Sequence, residues 1–244
     1  MKILDNFVGK PRDCSYLPGR DASLEYRVMV DVEAEEWEQL LLRGWRRFGV
    51  AYFRPRCGPC SECVPLRIPT SSFTPSRSQR RVLRKGRRFR AEMHYPIIDH
   101  ARLDLYRAWH DKQGGARGWS AEPMTAERYF HEFALPHVSA REVAYYDELE
   151  DDRLAAVALV DETPNALSAV YTYHHPDYAS LSLGTLSILR QIDMARQMGK
   201  AWLFLGYRIL GCVSSEYKRR FYPHELLEGW PEEQDSPVWT RVER

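Results

Sequence analysis

Apolar residues recur along the chain with two different periods, and the change from one to the other marks out the elements. In "EYRVMV" (25–30) apolar and polar positions alternate, which predicts a half-buried strand. "EAEEWEQLLLRGW" (33–45) switches to the helical period and brings Trp37, Leu40, Leu41 and Trp45 onto one face, with acids in the first turn and basic residues after it. "GVAYFRP" (49–55) reads as a strand again. "VPLRIP" (64–69) is a further extended piece that its prolines confine to an edge or a short stretch.

Beyond Pro96 the pattern becomes helices and then strands. "ARLDLYRAWHDKQG" (101–114) and "TAERYFHEFA" (125–134) are amphipathic helices, the second with Thr125 as its cap. Strands are expected at 141–147, 153–161, 165–175 and, in "YASLSLG", 178–184. "TLSILRQIDMARQMG" (185–199) repeats Leu186, Leu189 and Ile192 at helical spacing and stops at Gly199, a C-cap. "AWLFLGY" (201–207) is a last buried strand. The whole predicts an α+β protein with helices packed on a sheet, divided into residues 1–96 and residues 97–244.

The chain has 244 residues, 44% hydrophobic and 28% charged, enough to bury a full core. It has no uninterrupted apolar run of about 18 residues. Its first ten residues also lack the basic start and apolar centre of a signal peptide. No membrane partner is expected, and the expected compartment is the cytoplasm. Net charge is only +1, so no global field would hold a polyanion, and DNA is not an expected partner. The positive charge is local: "SRSQRRVLRKGRRFR" (76–90) carries Arg77, Arg80, Arg81, Arg84, Lys85, Arg87, Arg88 and Arg90. Such a block is either a solvated face or a phosphate-contacting patch.

The common nucleotide-loop, nucleophile-elbow and zinc-protease motifs are missing. In "HEFALPH" (131–137) the second histidine comes too late for one helical face and follows a proline. His174 and His175 fit a strand end. The cysteines are more pointed, because Cys57, Cys60 and Cys63 at C-x2-C-x2-C spacing supply three converging thiolates, and Cys14 is the fourth available to complete the set. Four thiolates suit tetrahedral zinc or an iron-sulfur cluster, and the spacing leaves both open. Cys212, far along the chain, fits an ordinary buried residue.

Seven segments in order, "CSYLPGR" (14–20), "CGPCSECVPLRI" (57–68), "FTPSRSQRRVLRK" (73–85), "LSAVYTYHHP" (167–176), "SLGTLSILRQIDMARQMG" (182–199), "LFLGYRI" (203–209) and "YKRRFYPHELL" (217–227), resemble the aminoacyl-tRNA protein transferases. These are the arginyltransferases and the shorter bacterial leucyltransferases of the N-degron pathway. The resemblance implies a small Cys-containing N-terminal domain and a C-terminal domain of GNAT acetyltransferase-like fold, a mixed sheet with flanking helices. It also implies the reaction: arginine or leucine passes from its tRNA to the α-amino group of a protein beginning with Asp or Glu, marking that protein for degradation. The family commonly has Lys-Met shortly before its Tyr-Lys pair. Here "SSEYK" puts Ser214, Ser215 and Glu216 there instead, which alters the local charge and leaves the donated amino acid open.

An aminoacyl ester is already activated, so no covalent enzyme nucleophile is required. What remains is to hold amine and ester in register, to take the amine's proton and to stabilise the oxyanion. Tyr171, Tyr207 and Lys218 are the candidates for proton handling and for the terminal ribose, and Gly184 for a close backbone approach where a helix begins. Leu183 and Tyr217 join the substrate-binding set. An acidic N-terminal side chain calls for an arginine fork, for which Arg77, then Arg80 or Arg81, are the candidates. Arg84, Lys85, Arg87 and Arg88 would follow the tRNA acceptor stem. Each of these residues also has a packing or surface reading. Neither a nucleotide nor coenzyme A is expected as cofactor, because the pyrophosphate loop of acyl-CoA acetyltransferases is missing. The competing reading is a non-catalytic, metal-stapled RNA-binding protein.

Overall fold

The computed structural model describes residues 1–117 and 124–244. It begins with β1 (Lys2–Val8), β2 (Arg12–Asp13), β3 (Asp21–Ala22) and β4 (Leu24–Val30). Helix α1 (Ala34–Leu42) follows, then β5 (Arg46–Phe48), β6 (Ala51–Pro55), β7 (Cys63–Pro69), α2 (Arg77–Lys85) and β8 (Phe89–His94). After α3 (His100–Arg117) and α4 (Ala126–Tyr129) come β9 (Ala140–Asp147), β10 (Arg153–Glu162) and β11 (Ala166–His174). The chain ends with α5 (Leu183–Gln197), β12 (Trp202–Ile209), α6 (Val213–Glu216), β13 (His224–Leu227) and β14 (Trp239–Val242). This is an α+β architecture with an eight-stranded mixed sheet and flanking helices. Among the described residues no helix is long and apolar enough to cross a membrane.

Two compact units divide the chain at 74/75, not at 96/97: residues 1–74, 162–168 and 194–244 form the first, and 75–161 and 169–193 the second. The chain passes between them more than once, so a single cut in the sequence cannot separate them. In the first unit β1-β4-β6-β5 make an antiparallel sheet, and α1 buries Trp37, Leu40 and Leu41 with Met29, Trp45 and Tyr52. The Glu38 carboxylate, itself buried, accepts hydrogen bonds from Thr163 Oγ1 at 2.7 Å and from Asn165 N and Nδ2 at 2.7 and 2.8 Å, which fixes the 162–168 segment to α1. A second set of strands runs β14-β13-β7-β12, with residues 166–168 of β11 parallel to β12.

Strand β7 lies between β12 and β13 and is not the edge its prolines suggested. Pro65 is tolerated because it stands opposite Tyr207, next to a shift in the β7–β12 register, and Pro69 closes the strand. Arg67 in the middle of β7 is stacked over Trp202 and Trp239, 4.2 and 4.3 Å from the ring centroids, and paired with Glu225 at 2.6 Å.

In the second unit the order is β8-β9-β10 followed by the rest of β11. Leu103, Tyr106, Tyr129, Val157, Leu159 and Tyr173 form its core, and the hydroxyls of Tyr129 and Tyr173 meet at 2.7 Å. Arg102 and Glu142, both buried, pair at 2.6 Å. The expected helix at 125–134 keeps its Thr125 cap, which accepts from Arg128 N, but widens into a π turn at Phe130–Ala134. The segment 178–184 is not a strand. Pro176 opens a 3-10 turn over Pro176–Leu181, His175 caps it, and Ser182 at φ 57° redirects the chain into α5. Local capping chemistry overrides the alternation there.

Gly86, at the end of α2, is pressed against Leu186 of α5. A Cβ added there would lie 2.4 Å from Leu186 Cδ1 and 2.6 Å from Cδ2. Leu186 is buried and cannot swing away. Gly86→Ala should therefore destabilise the protein by about 1–3 kcal/mol. In chemical denaturation the Gly86→Ala, Leu186→Ala double variant should lose less than the sum of the single losses, because the new methyl fills the space the leucine leaves.

Candidate active site

In the first unit the site is built on one irregularity. Strand β12 pairs with β7 through Phe204↔Arg67, and the register then shifts before Tyr207↔Pro65. Gly206 sits in that bulge at φ 73°, a conformation that costs a side-chain-bearing residue about 1–2 kcal/mol. Two cations lie over it: a Cβ at Gly206 would be 3.7 Å from Lys218 Nζ and 3.8 Å from the Arg46 guanidinium. Lys218, carried by the 3-10 turn Tyr217–Arg220, donates to the Tyr207 carbonyl at 2.7 Å. Arg46 donates to Ser168 Oγ at 2.8 Å. Burial, and then the Arg46 charge, pull the Lys218 amine down to about 8, so a sizeable fraction is neutral at mildly alkaline pH.

The Tyr207 hydroxyl donates to the Gly44 carbonyl at 2.8 Å, and burial raises its pKa far above the usual phenol range. Its position therefore ties β12 to the turn after α1. Tyr217 is well exposed beside Lys218. Of the divergent "SSE", Ser215 binds the end of β12, accepting from Ile209 N at 3.0 Å and donating to Ile209 O at 2.9 Å, while Glu216 pairs with Arg219.

The four cysteines belong to the same unit, and three of them act on Cys63. Burial pushes the Cys63 thiol up to about 12, and Cys57, Cys14 and Cys60 add to the rise in that order. Arg20 Nη1 donates to Cys60 Sγ and Ser23 N to Cys57 Sγ, both at 3.4 Å. A cavity of about 520 Å³ opens beside Cys57, Cys60, Arg20 and Ser23. As the side chains stand, no three His, Cys, Asp or Glu among the described residues are set to hold a metal ion. The donor chemistry fits a thiophilic metal, and its closure would need these side chains to turn inward. Cys212 is buried against Ser214 Oγ, in keeping with a packing residue.

In the second unit the basic segment is a helix. Ser76 and Gln79 form a capping box, Ser76 Oγ accepting from Gln79 N and Gln79 Oε1 from Ser76 N, a signature present in the sequence as S-x-x-Q. Helical spacing puts Arg77, Arg80, Arg81 and Arg84 on one exposed face, with Lys85 and Arg87 exposed beside them. Arg80 also donates to the Pro75 carbonyl. Arg88 differs: it forms a two-point pair with the buried Asp147 at 2.6 and 2.5 Å. That pairing gives Arg88 a structural use, holding the start of β8 to β9.

At the start of α5, Leu183 is buried while Gly184 has open space around it, since a Cβ there would meet nothing within 4 Å. Tyr171, on β11, is half-buried, and its hydroxyl lies 3.0 Å from His110 Nε2 on α3. Burial, and then Arg128, hold the His110 ring below its ordinary pKa, so it is neutral at pH 7. Tyr106 stacks on His110 with ring centroids 4.1 Å apart. Three residues of these sites escaped the sequence reading. A glycine inside the apolar run "LFLGY" was the available signal for Gly206. Arg46 and His110 gave none.

Residues 12–81 match the family model for the N terminus of arginine-tRNA-protein transferase, and residues 101–228 match that for its C terminus. An aspartate/glutamate leucyltransferase of Helicobacter hepaticus is 33% identical over 240 residues, 98% of each chain. That of Aeromonas salmonicida is 35% identical over 217 residues, 88% of each chain. Among solved structures FemX is similar with a TM-score of 0.51 and 10% identity, over 84% of this chain and 69% of its own. That likeness speaks to the fold alone, a mixed sheet with flanking helices of the GNAT-like kind. The family models span the Cys-containing segment, the start of the basic helix and nearly all of the second half, and the relatives match almost end to end, which leaves the non-catalytic reading without support. The chain belongs to the arginine-tRNA-protein transferase family and is an aminoacyltransferase.

Proposed function

We propose that the protein moves leucine from leucyl-tRNA to the α-amino group of proteins beginning with Asp or Glu, marking them for degradation. The end-to-end match to relatives named aspartate/glutamate leucyltransferase carries this reading. The chemistry asks for little beyond what the chain holds. The amine attacks the ester carbonyl carbon, the C–O bond to the ribose breaks, and the amine's proton must leave. Lys218, with its amine pulled down to about 8 and held at the Gly206 bulge, is the group that takes the proton or steadies the departing ribose oxygen. Backbone N–H groups at the start of α5, left open by Gly184, suit an anionic or polar group of the substrate. Arg77, with Arg80 and Arg81, meets the acidic side chain of the acceptor, and Arg84, Lys85 and Arg87 meet RNA phosphates. Cys14, Cys57, Cys60 and Cys63 hold zinc or an iron-sulfur cluster that staples the N-terminal segment, a reading supported by their C-x2-C-x2-C spacing and by the influence of the other three on Cys63.

Purified protein incubated with leucyl-tRNA should add one leucine to peptides beginning Asp or Glu and none to a peptide beginning Ala, read by mass. Transfer from arginyl-tRNA instead would overturn the choice of donor. Lys218→Met should lower the transfer rate by about 10²–10⁴-fold while the protein still binds tRNA. The same variant checks the buried amine by thermal melting. Its native pKa lies below the ordinary 10.5, so the native state binds fewer protons than the unfolded chain between about pH 8 and 10.5. The destabilising contribution is full below pH 8 and is relieved above it, so wild type should gain stability relative to Lys218→Met as pH rises from 8 to 10. Elemental analysis with absorbance spectroscopy should find zinc or iron in the freshly purified protein. Cys60→Ser should lose the metal and melt lower. Freshly purified wild type that contains no metal, or metal-loaded wild type that melts no higher than Cys60→Ser, would refute the staple.

A further inference from the structure

The small sheet β1-β4-β6-β5 has one face closed by α1 and the core around Met29 and Tyr52, and its other face takes no part in that core. On this outer face Phe7 of β1 stands directly opposite Tyr26 of β4, Tyr26 opposite Phe53 of β6, and Phe53 opposite Arg46 of β5. Three rings and a guanidinium thus form one cross-strand row across all four strands. The ring centroids are 5.3 Å apart from Phe7 to Tyr26 and 6.2 Å from Tyr26 to Phe53, and Phe48, on the same face, stacks on Phe53 at 5.7 Å. Phe7 and Phe48 are 45% and 36% exposed, and Tyr26 and Phe53 are half-buried. A contiguous row of partly exposed aromatic side chains is costly to leave in water, and the core around Met29 and Tyr52 packs on the opposite face.

What the row leads to decides its occupant. Its Arg46 end lies at the Gly206 bulge beside Lys218. An aminoacyltransferase of this family takes its amino acid from an RNA whose acylated end is unpaired, and that end must reach the reacting centre. Unpaired bases are held in proteins by stacking on aromatic faces exposed on a β-sheet, with arginine contributing to a phosphate or a base plane. We infer that the Phe7–Tyr26–Phe53 row, with Phe48, is a stacking platform for the unpaired 3′ nucleotides of the donor RNA, and that Arg46 holds the last of them where the strip meets Lys218. The inference rests on the reading of this protein as a tRNA-dependent transferase and adds the surface that receives the RNA's single-stranded end.

The test uses the full-length protein with two uncharged tRNAs, one intact and one lacking its four 3′ nucleotides. Wild type should bind the intact RNA more tightly than the trimmed one. Tyr26→Ala and Phe53→Ala should each weaken binding of the intact RNA by about fivefold to a hundredfold, the range for loss of one base-stacking ring, and leave the trimmed RNA unaffected. Tyr26→Phe, which keeps the ring, should restore wild-type binding. In transfer assays the alanine variants should raise KM for the charged RNA and leave KM for the acceptor peptide unmoved. Circular dichroism with thermal melting would establish that the variants are folded. Equal affinity of wild type for intact and trimmed RNA would overturn the inference. So would alanine variants that distinguish the two RNAs as strongly as wild type does, or ones that only convert a dimer to a monomer, which would make the strip an interface between copies. Failure of the transferase reading itself is separate, since it would appear as no transfer by wild type from any charged RNA.

Discussion

The ladder between β7 and β12 breaks between Phe204 and Tyr207, and the candidate centre depends on that break. A regular ladder would need an ordinary strand conformation at residue 206 and would carry Tyr207 to a different register against Pro65. With Gly206 in the left-handed region the ladder is interrupted, the Tyr207 carbonyl turns to Lys218 Nζ, and Arg46 approaches from β5. Two like charges are thereby held near one another in a partly dry place. The amine yields, falling to about 8, while the guanidinium stays charged. The fold spends stability to keep a lysine there, which is common where a group has chemistry to do.

The constraint spreads outward through tied segments. Tyr207 is anchored to Gly44, whose own left-handed turn is packed against Pro65, Trp230 and Leu227, so the bulge, the end of α1 and the C-terminal strands are fixed together. Ser215 binds both backbone groups of Ile209 and so sets where the Lys218 turn begins. The serine that distinguishes "SSEYK" from the family's usual residues is thus a structural tie, and the departure does not touch Lys218 itself. On the other side of β7, Arg67 fills a position that looks wrong for a strand interior until the two tryptophans and Glu225 around it are counted.

Much of this was legible in the sequence where one period ran long enough. The alternation of 25–30, the Trp37-Leu40-Leu41 face, the strands 141–147 and 153–161 and the helix closed by Gly199 all read directly, because burial on one face writes a period into the chain. Three things did not read. Strand β1 is exposed along its length and carries no burial pattern to find. The basic helix α2 has few apolar residues, and its Ser76–Gln79 box was masked by the arginines. Segment 178–184 alternates like a strand but is governed by a proline and a capped turn. The site was legible as residue types and not as geometry. Lys218 and Tyr171 read as candidates, yet Arg46, Gly206 and His110, which set their surroundings, arrive from distant parts of the chain, and Arg88 turned out to be held by Asp147. The aromatic row was hidden for the same reason, since Phe7, Tyr26 and Phe53 meet only when three strands pair.

We propose that acyl transfer takes place at the Gly206 bulge. Hydrogen exchange of the full-length protein, with and without a tRNA bearing leucine through a stable amide in place of the ester, measures this most directly. Slowed exchange in the segment 204–208 and in the turn 217–220 when the analogue binds, beyond that produced by uncharged tRNA, is the predicted result. Protection that is the same with charged and uncharged RNA, or that leaves both segments unchanged while appearing elsewhere, would contradict it.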